Sequence, residues 1–432
     1  MLANTLPAQN VDSIAFEEFD LSNGLHVILH ENHTTPIVVV SVMYHVGSKN
    51  ENPERTGFAH FFEHLLFEGT ENVNRGDFIK IVQNSGGEVN ANTSNDRTFY
   101  YEIFPSNYLE TGLWLESERM LHAKVNHQGI ETQRQVVKEE RRQRYDNRPY
   151  GTIIEESMKR AFSEHPYRWT TIGSMDHLDA AQDEDYIAFY ETFYVPNNAV
   201  LTITGDFTTF DVKPLIEKYF SSIPRGTKPI TVPDDNEPPL TAEIRDTIYD
   251  HIQLPALIQL YRIPPYGTKD YYAVRMLSDI LSNGGSSRLN LNLVDKQQIA
   301  SYVGSFPLEL EHSGVYIQFA IANLGVDITE VENSLNSEVE RLRSELITER
   351  EFQKLQNIIE SEEVNRKSKL LNIAEELSTG YLYLKNTNLI NSEANQYKSI
   401  SRIALREAAR NYLSKNNRVT LYWLPGKNII SN

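Results

Sequence analysis

The 432-residue chain contains no cysteine. It therefore has no disulfide, no thiolate nucleophile and no cysteine-ligated metal, so any metal ion must be held by histidine and carboxylate side chains. Basic residues are also in deficit, with 41 Lys and Arg against 59 Asp and Glu, and the formal net charge is −18. Because nucleic-acid binding needs a basic surface that neutralises phosphates, this charge argues against that class of function.

Long hydrophobic runs are missing as well. No stretch of 18 apolar residues occurs, and the beginning of the chain, MLANTLPAQNVDSIAFEEFDLSNG, has neither the basic region nor the apolar region of a secretory signal. We therefore expect no membrane span and a cytoplasmic protein. If a signal peptide had been removed from the printed sequence, the expected location would be the periplasm instead.

The chain is too long for one ordinary core, so two domains of about 200 residues are expected. An internal repeat supports this division: FYVPNNAVLTITGD at 193–206 and NYLSKNNRVTLYWLPG at 411–426 share an aromatic residue, a turn with paired asparagines and a β-rich run. Between them, residues 222–243 are rich in Pro, Asp and Thr, which is typical of a linker. The competing explanation is chance likeness between two asparagine-rich turns.

Each half begins with strand-like segments and continues with helical ones, an order that favours an α+β fold. The sequence predicts two homologous α/β-roll domains, each a mostly antiparallel sheet with helices packed on one face. The predicted boundaries are 1–222 for the first domain, 223–243 for the linker and 244–432 for the second domain.

The segment GFAHFFEHLLFEGT, residues 57–70, is unusually rich in histidine and glutamate for a chain with 12 histidines. Residues 56–68 contain no proline and only one early glycine, so they are expected to form a helix. Gly69 follows as a C-cap, the position at which glycine most often ends a helix.

On such a helix, His60 and His64 are four residues apart and lie on one face, where both can reach one ion. Zinc suits the pair, because neutral imidazole nitrogen is a preferred zinc ligand at about 2.0–2.1 Å. Glu63 lies on nearly the same face and can accept a proton from water whose pKa the metal has lowered. The alternative is a chance match, in which the histidines are ordinary core residues.

A catalytic zinc usually has a third protein ligand, and the richest candidate segment is GIETQRQVVKEERRQRYDN, residues 129–147. Val136 and Val137 predict a buried side for this helical stretch. Glu139 and Glu140 are adjacent, about 100° apart on a helix, so only one of them can face the histidines. Spacing alone does not choose between the two, and a solvated charged helix is the alternative interpretation.

HFFEH followed by VVKEE resembles the inverted zinc motif of the inverzincin metallopeptidases, the relatives of pitrilysin, insulysin and mitochondrial processing peptidase. GEVNANTSNDRTFYY and TIGSMDHLDAAQDEDYIAFYETFYVPNNAVLTITGDF resemble further segments of that family, so the likeness covers nearly the whole chain. The resemblance implies a zinc metalloendopeptidase with one Zn2+ per chain. The implied ligands are His60, His64 and Glu140, with Glu139 as the alternative, and the implied general base is Glu63.

The resemblance also implies that the family binds its peptide as an added strand at a sheet edge beside the zinc. The matching residues are Asn90, Ala91, Asn92 and Thr93. Pairing through the backbone would explain tolerance of many substrate sequences, because main-chain groups are common to all peptides. The alternative is an ordinary interior strand with Thr and Asn on its exposed face.

Two departures from the family pattern stand out, and the first is Gln133. The family often has a glutamate seven residues before the metal-binding glutamate, and Gln133 takes that position here. An amide still forms hydrogen bonds but adds no negative charge, so we expect zinc affinity or water basicity to be tuned differently.

The second departure lies in the C-terminal half. The family's arginine and tyrosine that complete the active site align with Val294 and Ser301 in the segment LVDKQQIASYV. Tyr302 is one residue out of register, which on a strand turns its side chain to the other face. This half also lacks an HxxEH motif and contains only His251 and His312.

The resemblance implies a zinc-bearing subunit of about half the size of the single-chain family members. Such a subunit is expected to pair with a related chain into a clam-shell chamber and to hydrolyse peptides or unfolded polypeptides. A heterodimer with a zinc-less subunit that supplies the arginine and tyrosine is favoured over a homodimer. Two alternatives remain: a non-catalytic core or assembly subunit of the same family, and a zinc hydrolase that acts on a small molecule.

Overall fold

The computed structural model describes residues 13–233 and 237–426. Residues 1–12, where no signal sequence was expected, lie outside the described residues, as do residues 234–236 of the predicted linker and residues 427–432. The strands are β1 (Glu17–Asp20), β2 (His26–Glu31), β3 (Ile37–Tyr44), β4 (Glu88–Thr93), β5 (Thr98–Pro105), β6 (Ala199–Gly205), β7 (Ile244–Asp250), β8 (Ala256–Ile263), β9 (Ala300–Leu308), β10 (Gly314–Ala322) and β11 (Arg418–Pro425).

The α-helices are divided between the two halves of the chain. Before the linker they are α1 (Phe58–Leu65), α2 (Asp77–Asn84), α3 (Leu109–His122), α4 (His127–Arg141), α5 (Ile153–Ala161), α6 (Met175–Ala180), α7 (Asp183–Phe193) and α8 (Thr209–Phe220). After it they are α9 (Lys269–Ser282), α10 (Ile328–Ser344), α11 (Glu349–Lys367), α12 (Leu370–Leu384), α13 (Leu389–Lys398) and α14 (Arg402–Tyr412).

The strands form two sheets with the same plan. The first has the order β1-β2-β6-β3-β5-β4 and the second the order β7-β11-β8-β10-β9. Apart from β1, each strand of the first sheet has a counterpart at the same place in the second. Each sheet contains one parallel pair, β2–β6 or β7–β11, and the remaining described pairs are antiparallel. The predicted α+β fold with two homologous, mostly antiparallel units is confirmed.

The paired-asparagine turns are equivalent parts of this repeat. The side-chain amide of Asn198 donates to the carbonyl of Phe193 at 2.9 Å, and that of Asn417 donates to the carbonyl of Tyr412 at 2.8 Å. Donors and acceptors are both offset by 219 positions (417 − 198 and 412 − 193). Each asparagine thus links the end of a helix to the turn before the next strand in the same way in both halves.

Each sheet is covered by helices on one face, as predicted, and by a helix from the other half on its second face. Helix α12 follows the linker, yet its Ile373 and Leu377 pack with Ile28 of β2 and Met43 of β3. Reciprocally, Met158 of α5 belongs to a core that includes strands of the second sheet. The predicted boundaries therefore separate the two sets of strands, while α5 and α12 cross between them.

The helix that carries the HxxEH motif is shorter than the predicted 56–68. It begins after Gly57, whose φ is 97°, and ends at Leu65. Gly69 is not its C-cap: this residue has a φ of 127°, and a Cβ there would lie 2.7 Å from the carbonyl oxygen of Val73. Glycine is thus needed at position 69 for a tight loop crossing rather than for ending the helix.

Candidate active site

Helix α1 is fixed by its aromatic face and by its N-terminus. Phe58, Phe61 and Phe62 are buried, and the ring of Phe58 stacks on Tyr186 of α7 with centroids 4.6 Å apart. At the start of the helix, the buried carboxylate of Glu51 accepts hydrogen bonds from the backbone amides of Gly57 and Ala59 at 2.8 and 2.9 Å. These contacts satisfy amides that have no partner within the helix and orient its other face.

That other face presents His60 and His64, and Glu140 of α4 completes a triangle of possible ligand atoms. The two Nε2 atoms are 3.3 Å apart, and Oε2 of Glu140 lies 3.6 Å from that of His60 and 3.2 Å from that of His64. Ligands held tetrahedrally at zinc–ligand distances of about 2.0–2.1 Å are separated from one another by about 3.3–3.4 Å. The three donor atoms therefore fit a zinc ion without rearrangement.

The protonation state of the site also suits a metal. Burial, and then the neighbouring imidazole of His64, lower the pKa of His60 to about 4. The pKa of Glu140 is lowered too, chiefly by its hydrogen bond with His64. At neutral pH the imidazole of His60 is thus neutral and the carboxylate is ionised, which is the state in which both bind zinc.

Helix α4 brings Glu140, and not Glu139, to the histidines. Glu139 faces solvent, where its carboxylate lies 3.2 Å from a guanidinium nitrogen of Arg142 and accepts from Gln143 at 2.9 Å. The predicted buried side of this helix is only half right, because Val137 is fully buried while Val136 is 43% exposed.

Glu63 lies beside the triangle and is held by one hydrogen bond. The hydroxyl of Thr93, at the end of β4, donates to Oε2 of Glu63 at 2.5 Å. Burial raises the pKa of Glu63, and the bond from Thr93 acts against this rise. A partly buried carboxylate with a raised pKa and one oxygen left for water is suited to accept a proton.

The predicted peptide-binding residues Asn90, Ala91, Asn92 and Thr93 form most of β4, which is an edge strand of the first sheet. The interior-strand alternative is therefore wrong. In the described part of the chain, β4 pairs only with β5, so its other edge has backbone groups that a further strand can reach.

Gln133 does not stand free at the family's glutamate position. Its side-chain amide donates to Oε1 of Glu68 at 2.5 Å, and Glu68 also forms an ion pair with Arg75. Sequence reasoning missed Glu68, although its position four residues after His64, on the same side of the motif segment, was a usable signal. A carboxylate is thus present beside Gln133, supplied by another segment.

The C-terminal positions of interest lie on the second sheet and its surroundings. Val294 packs against the hydrophobic core that includes Leu257 of β8 and Leu277 of α9. The hydroxyl of Ser301 donates to the carbonyl of Ile321 at 3.3 Å. Tyr302 on β9 is 57% exposed, with its ring centroid 5.7 Å from that of Phe319. Within the described residues, 13–233 and 237–426, no hydrogen bond or ion pair connects Val294, Ser301 or Tyr302 to His60, His64 or Glu140.

The comparisons with known proteins agree along the chain. Residues 26–174 match the model of the insulinase domain (peptidase family M16), and residues 181–359 match the model of the peptidase M16 inactive domain. The zinc protease PqqE of Helicobacter pylori is 31% identical over 418 residues, which are 95% of this chain and 93% of that protein. The chain belongs to peptidase family M16.

Two further proteins are similar to this chain over most of its length. The crystal structure of a protease from Helicobacter pylori superposes on this chain with a TM-score of 0.91 at 30% sequence identity. The superposition covers 95% of this chain and 100% of the Helicobacter protein chain. The probable mitochondrial-processing peptidase subunit beta of Schizosaccharomyces pombe is 24% identical over 329 residues, 72% of this chain and 70% of that protein. The inferred family resemblance is thereby confirmed.

The two matched family models divide the chain into a part that contains the HxxEH motif and a part that does not. The part that contains His60 and His64 matches the insulinase model, whereas the inactive-domain model covers sequence without an HxxEH motif. Among the helices described in the two covered ranges, none combines the length and the apolar character needed to cross a membrane.

Proposed function

We propose that this M16 protein is the zinc-bearing subunit of an endopeptidase that hydrolyses peptides or unfolded polypeptides. The observation that carries the proposal is the donor triangle of His60, His64 and Glu140 with the carboxylate of Glu63 at its side. Zinc held there would polarise the peptide carbonyl and lower the pKa of the attacking water. The relatives named zinc proteases support the same choice of metal.

Residues of this chain would carry out proton transfer and peptide binding. Glu63 takes the proton of the attacking water and returns it to the leaving amine, while Thr93 keeps one of its oxygens occupied. The open edge of β4 supports binding of the peptide as an added strand along Asn90, Ala91 and Asn92. Such pairing reads the backbone, so the expected substrate is any extended segment and not a single sequence.

The second subunit of the proposal follows from what this chain lacks. Val294 and Ser301 stand where the family has an arginine and a tyrosine, and neither can stabilise an oxyanion at the zinc site as those residues do. We propose that a related zinc-less subunit supplies them and closes a clam-shell chamber around the peptide. A homodimer is less favoured, because a second copy brings the same valine and serine. A cytoplasmic location stays a prediction.

The decisive experiment compares wild type with Glu63→Gln on a quenched fluorescent peptide and on an unfolded polypeptide. The variant should keep one zinc per chain and its fold but lose roughly 10²–10⁴-fold in turnover, the usual scale for a positioned proton acceptor. Glu184→Gln, which neutralises an exposed carboxylate, is the control and should keep full activity. A Glu63→Gln enzyme as fast as wild type contradicts the assignment.

The same assay separates the two-subunit model from its alternatives. The isolated chain should bind zinc yet cleave about 10²–10³-fold more slowly than a mixture with the related subunit, the typical effect of one missing oxyanion donor. If the zinc-loaded mixture leaves both substrates intact, the chain is an assembly subunit. If the isolated chain matches the mixture, the second subunit has no catalytic part.

A further inference from the structure

Hydrolysis of a peptide bond passes through a tetrahedral oxyanion, whose charge needs donors besides the metal. We propose that Arg144 is one of these donors and acts from within the chain. This inference rests on the proposed peptidase function and deepens it, because it adds a donor from the zinc-bearing chain itself to the arginine and tyrosine assigned to the partner.

The position of Arg144 is set by its contact with the third ligand. One guanidinium nitrogen of Arg144 lies 2.6 Å from Oε1 of Glu140, while the other oxygen of the same carboxylate faces His60 and His64. The positive charge thus forms an ion pair with the carboxylate oxygen of Glu140 that does not face the histidines. It is held at the metal site, and not merely nearby on the surface.

The exposure of Arg144 leaves most of its donors available. Its side chain is 71% exposed, whereas that of Glu140 is 14% exposed. A guanidinium carries five N–H donors, so one bond to Glu140 leaves the others free for a substrate on the open side of the site. Neighbouring arginines are differently engaged: Arg141 pairs with Glu155, and Arg142 pairs with Glu139 away from the histidines.

The backbone at Arg144 is unusual in a way that fits this role. Helix α4 continues directly into a π-helical segment, Arg142–Asp146, closed by a 2.8 Å bond from the amide of Asn147 to the carbonyl of Arg142. π-Helical turns are rare and occur frequently at functional sites. Here the π-helical segment begins two residues after the third ligand and contains Arg144.

The proposed step balances without a further reagent. Water adds to the carbonyl carbon, the π electron pair moves to the oxygen, and Glu63 receives the proton of the water. The guanidinium of Arg144 donates N–H hydrogen bonds to the oxyanion and takes no part in the proton transfers. An electron pair of the oxyanion then re-forms the C=O bond, the C–N bond breaks with its electron pair on nitrogen, and Glu63 returns the proton to that nitrogen.

The competing view is an ordinary exposed ion pair, which contributes little to stability and nothing to catalysis. The experiment compares Arg144→Gln with Arg142→Gln, a matched control that removes the same charge from the same turn. Zinc-loaded proteins are titrated by calorimetry with the phosphinic analogue of hexaalanine, a tetrahedral anion. Hexaalanine itself is titrated in the Glu63→Gln background, where its cleavage is expected to be slow on the time scale of the titration.

We expect Arg144→Gln to weaken binding of the phosphinic analogue about 10- to 100-fold, the range for a hydrogen bond to a charged group, and to leave hexaalanine binding within about twofold. Arg142→Gln should change neither. Equal analogue binding by the two variants overturns the inference. Loss of zinc in Arg144→Gln also overturns it, since Arg144 would then only hold Glu140. If wild type fails to bind the analogue, the proposed function itself is contradicted.

Discussion

The hydroxyl of Thr93 donates a 2.5 Å hydrogen bond to Oε2 of Glu63, so the edge strand β4 is bonded directly to the proposed general base. The same strand offers the open backbone edge on which a peptide would pair. Substrate binding and orientation of the base therefore share one element, and a shift of β4 would change both.

Replacing Thr93 by valine keeps the shape of the side chain and removes the hydroxyl. We expect turnover to fall about tenfold while zinc content and KM stay unchanged, because one hydrogen bond to a charged group is lost. The bond lowers the pKa of Glu63, so its loss should raise that pKa and move the acid limb of the pH–rate profile to higher pH. Thr93→Ser is the control and should restore the rate; a valine variant with wild-type kinetics contradicts the role.

Zinc content distinguishes the two adjacent glutamates of α4. Glu140→Gln should lose most of its zinc at moderate chelator concentration, as should His60→Ala, because each removes one of three donor atoms. Glu139→Gln makes the same chemical change one residue away, on the solvent side, and should retain one zinc per chain. Elemental analysis after dialysis against the chelator gives the result. Full zinc in Glu140→Gln, with none in His60→Ala, would transfer the ligand role to Glu139.

Restoring the family's glutamate at position 133 should destabilise this particular chain. Gln133 donates to Glu68, whose side chain is 10% exposed, so Gln133→Glu would place two carboxylates in contact. Thermal unfolding should begin at lower temperature at pH 8, by an amount equivalent to about 1–3 kcal/mol, and recover towards pH 5 as one carboxyl keeps its proton. Gln135→Glu, at an exposed position of the same helix, should show no such change.

An ion pair between Lys49 and Glu311 joins the two halves of the chain, and it predicts that the folded state loses stability in acid. Burial disfavours ionisation of Glu311, but its hydrogen bond with His45 and the charges of His45 and Lys49 outweigh this and lower its pKa to about 2. A lowered carboxyl pKa stabilises the folded state above the unfolded value near 4.5, and this contribution, about 3 kcal/mol, is lost as the pH falls from about 5 towards 2.

Denaturant unfolding between pH 6 and pH 3 tests this contribution. The difference in free energy of unfolding between wild type and Glu311→Gln should shrink by about 2 kcal/mol over that interval. Glu184→Gln, at an exposed position, should keep a constant difference from wild type. A pH-independent difference for Glu311→Gln would show that its carboxylate is not ionised preferentially in the folded state.

The sequence by itself determined what depends on local periodicity and on repetition. The four-residue spacing of His60 and His64, with Glu63 between them, fixes their common face on any helix, because 3.6 residues make one turn. The repeat at an offset of 219 likewise predicted two homologous units, since similar turn sequences at equivalent positions form similar turns. These predictions needed no knowledge of distant contacts.

Only the tertiary structure decided which distant residues meet. Glu140 is 76 residues beyond His64, and its advantage over Glu139 comes from the rotation of α4, which is fixed by burial of Val137 and not by spacing. The crossing of α5 and α12, the bond from Thr93 and the contact of Arg144 with Glu140 have the same origin. Each depends on how whole elements pack against one another, and packing energy is summed over many contacts that no local pattern of residues contains.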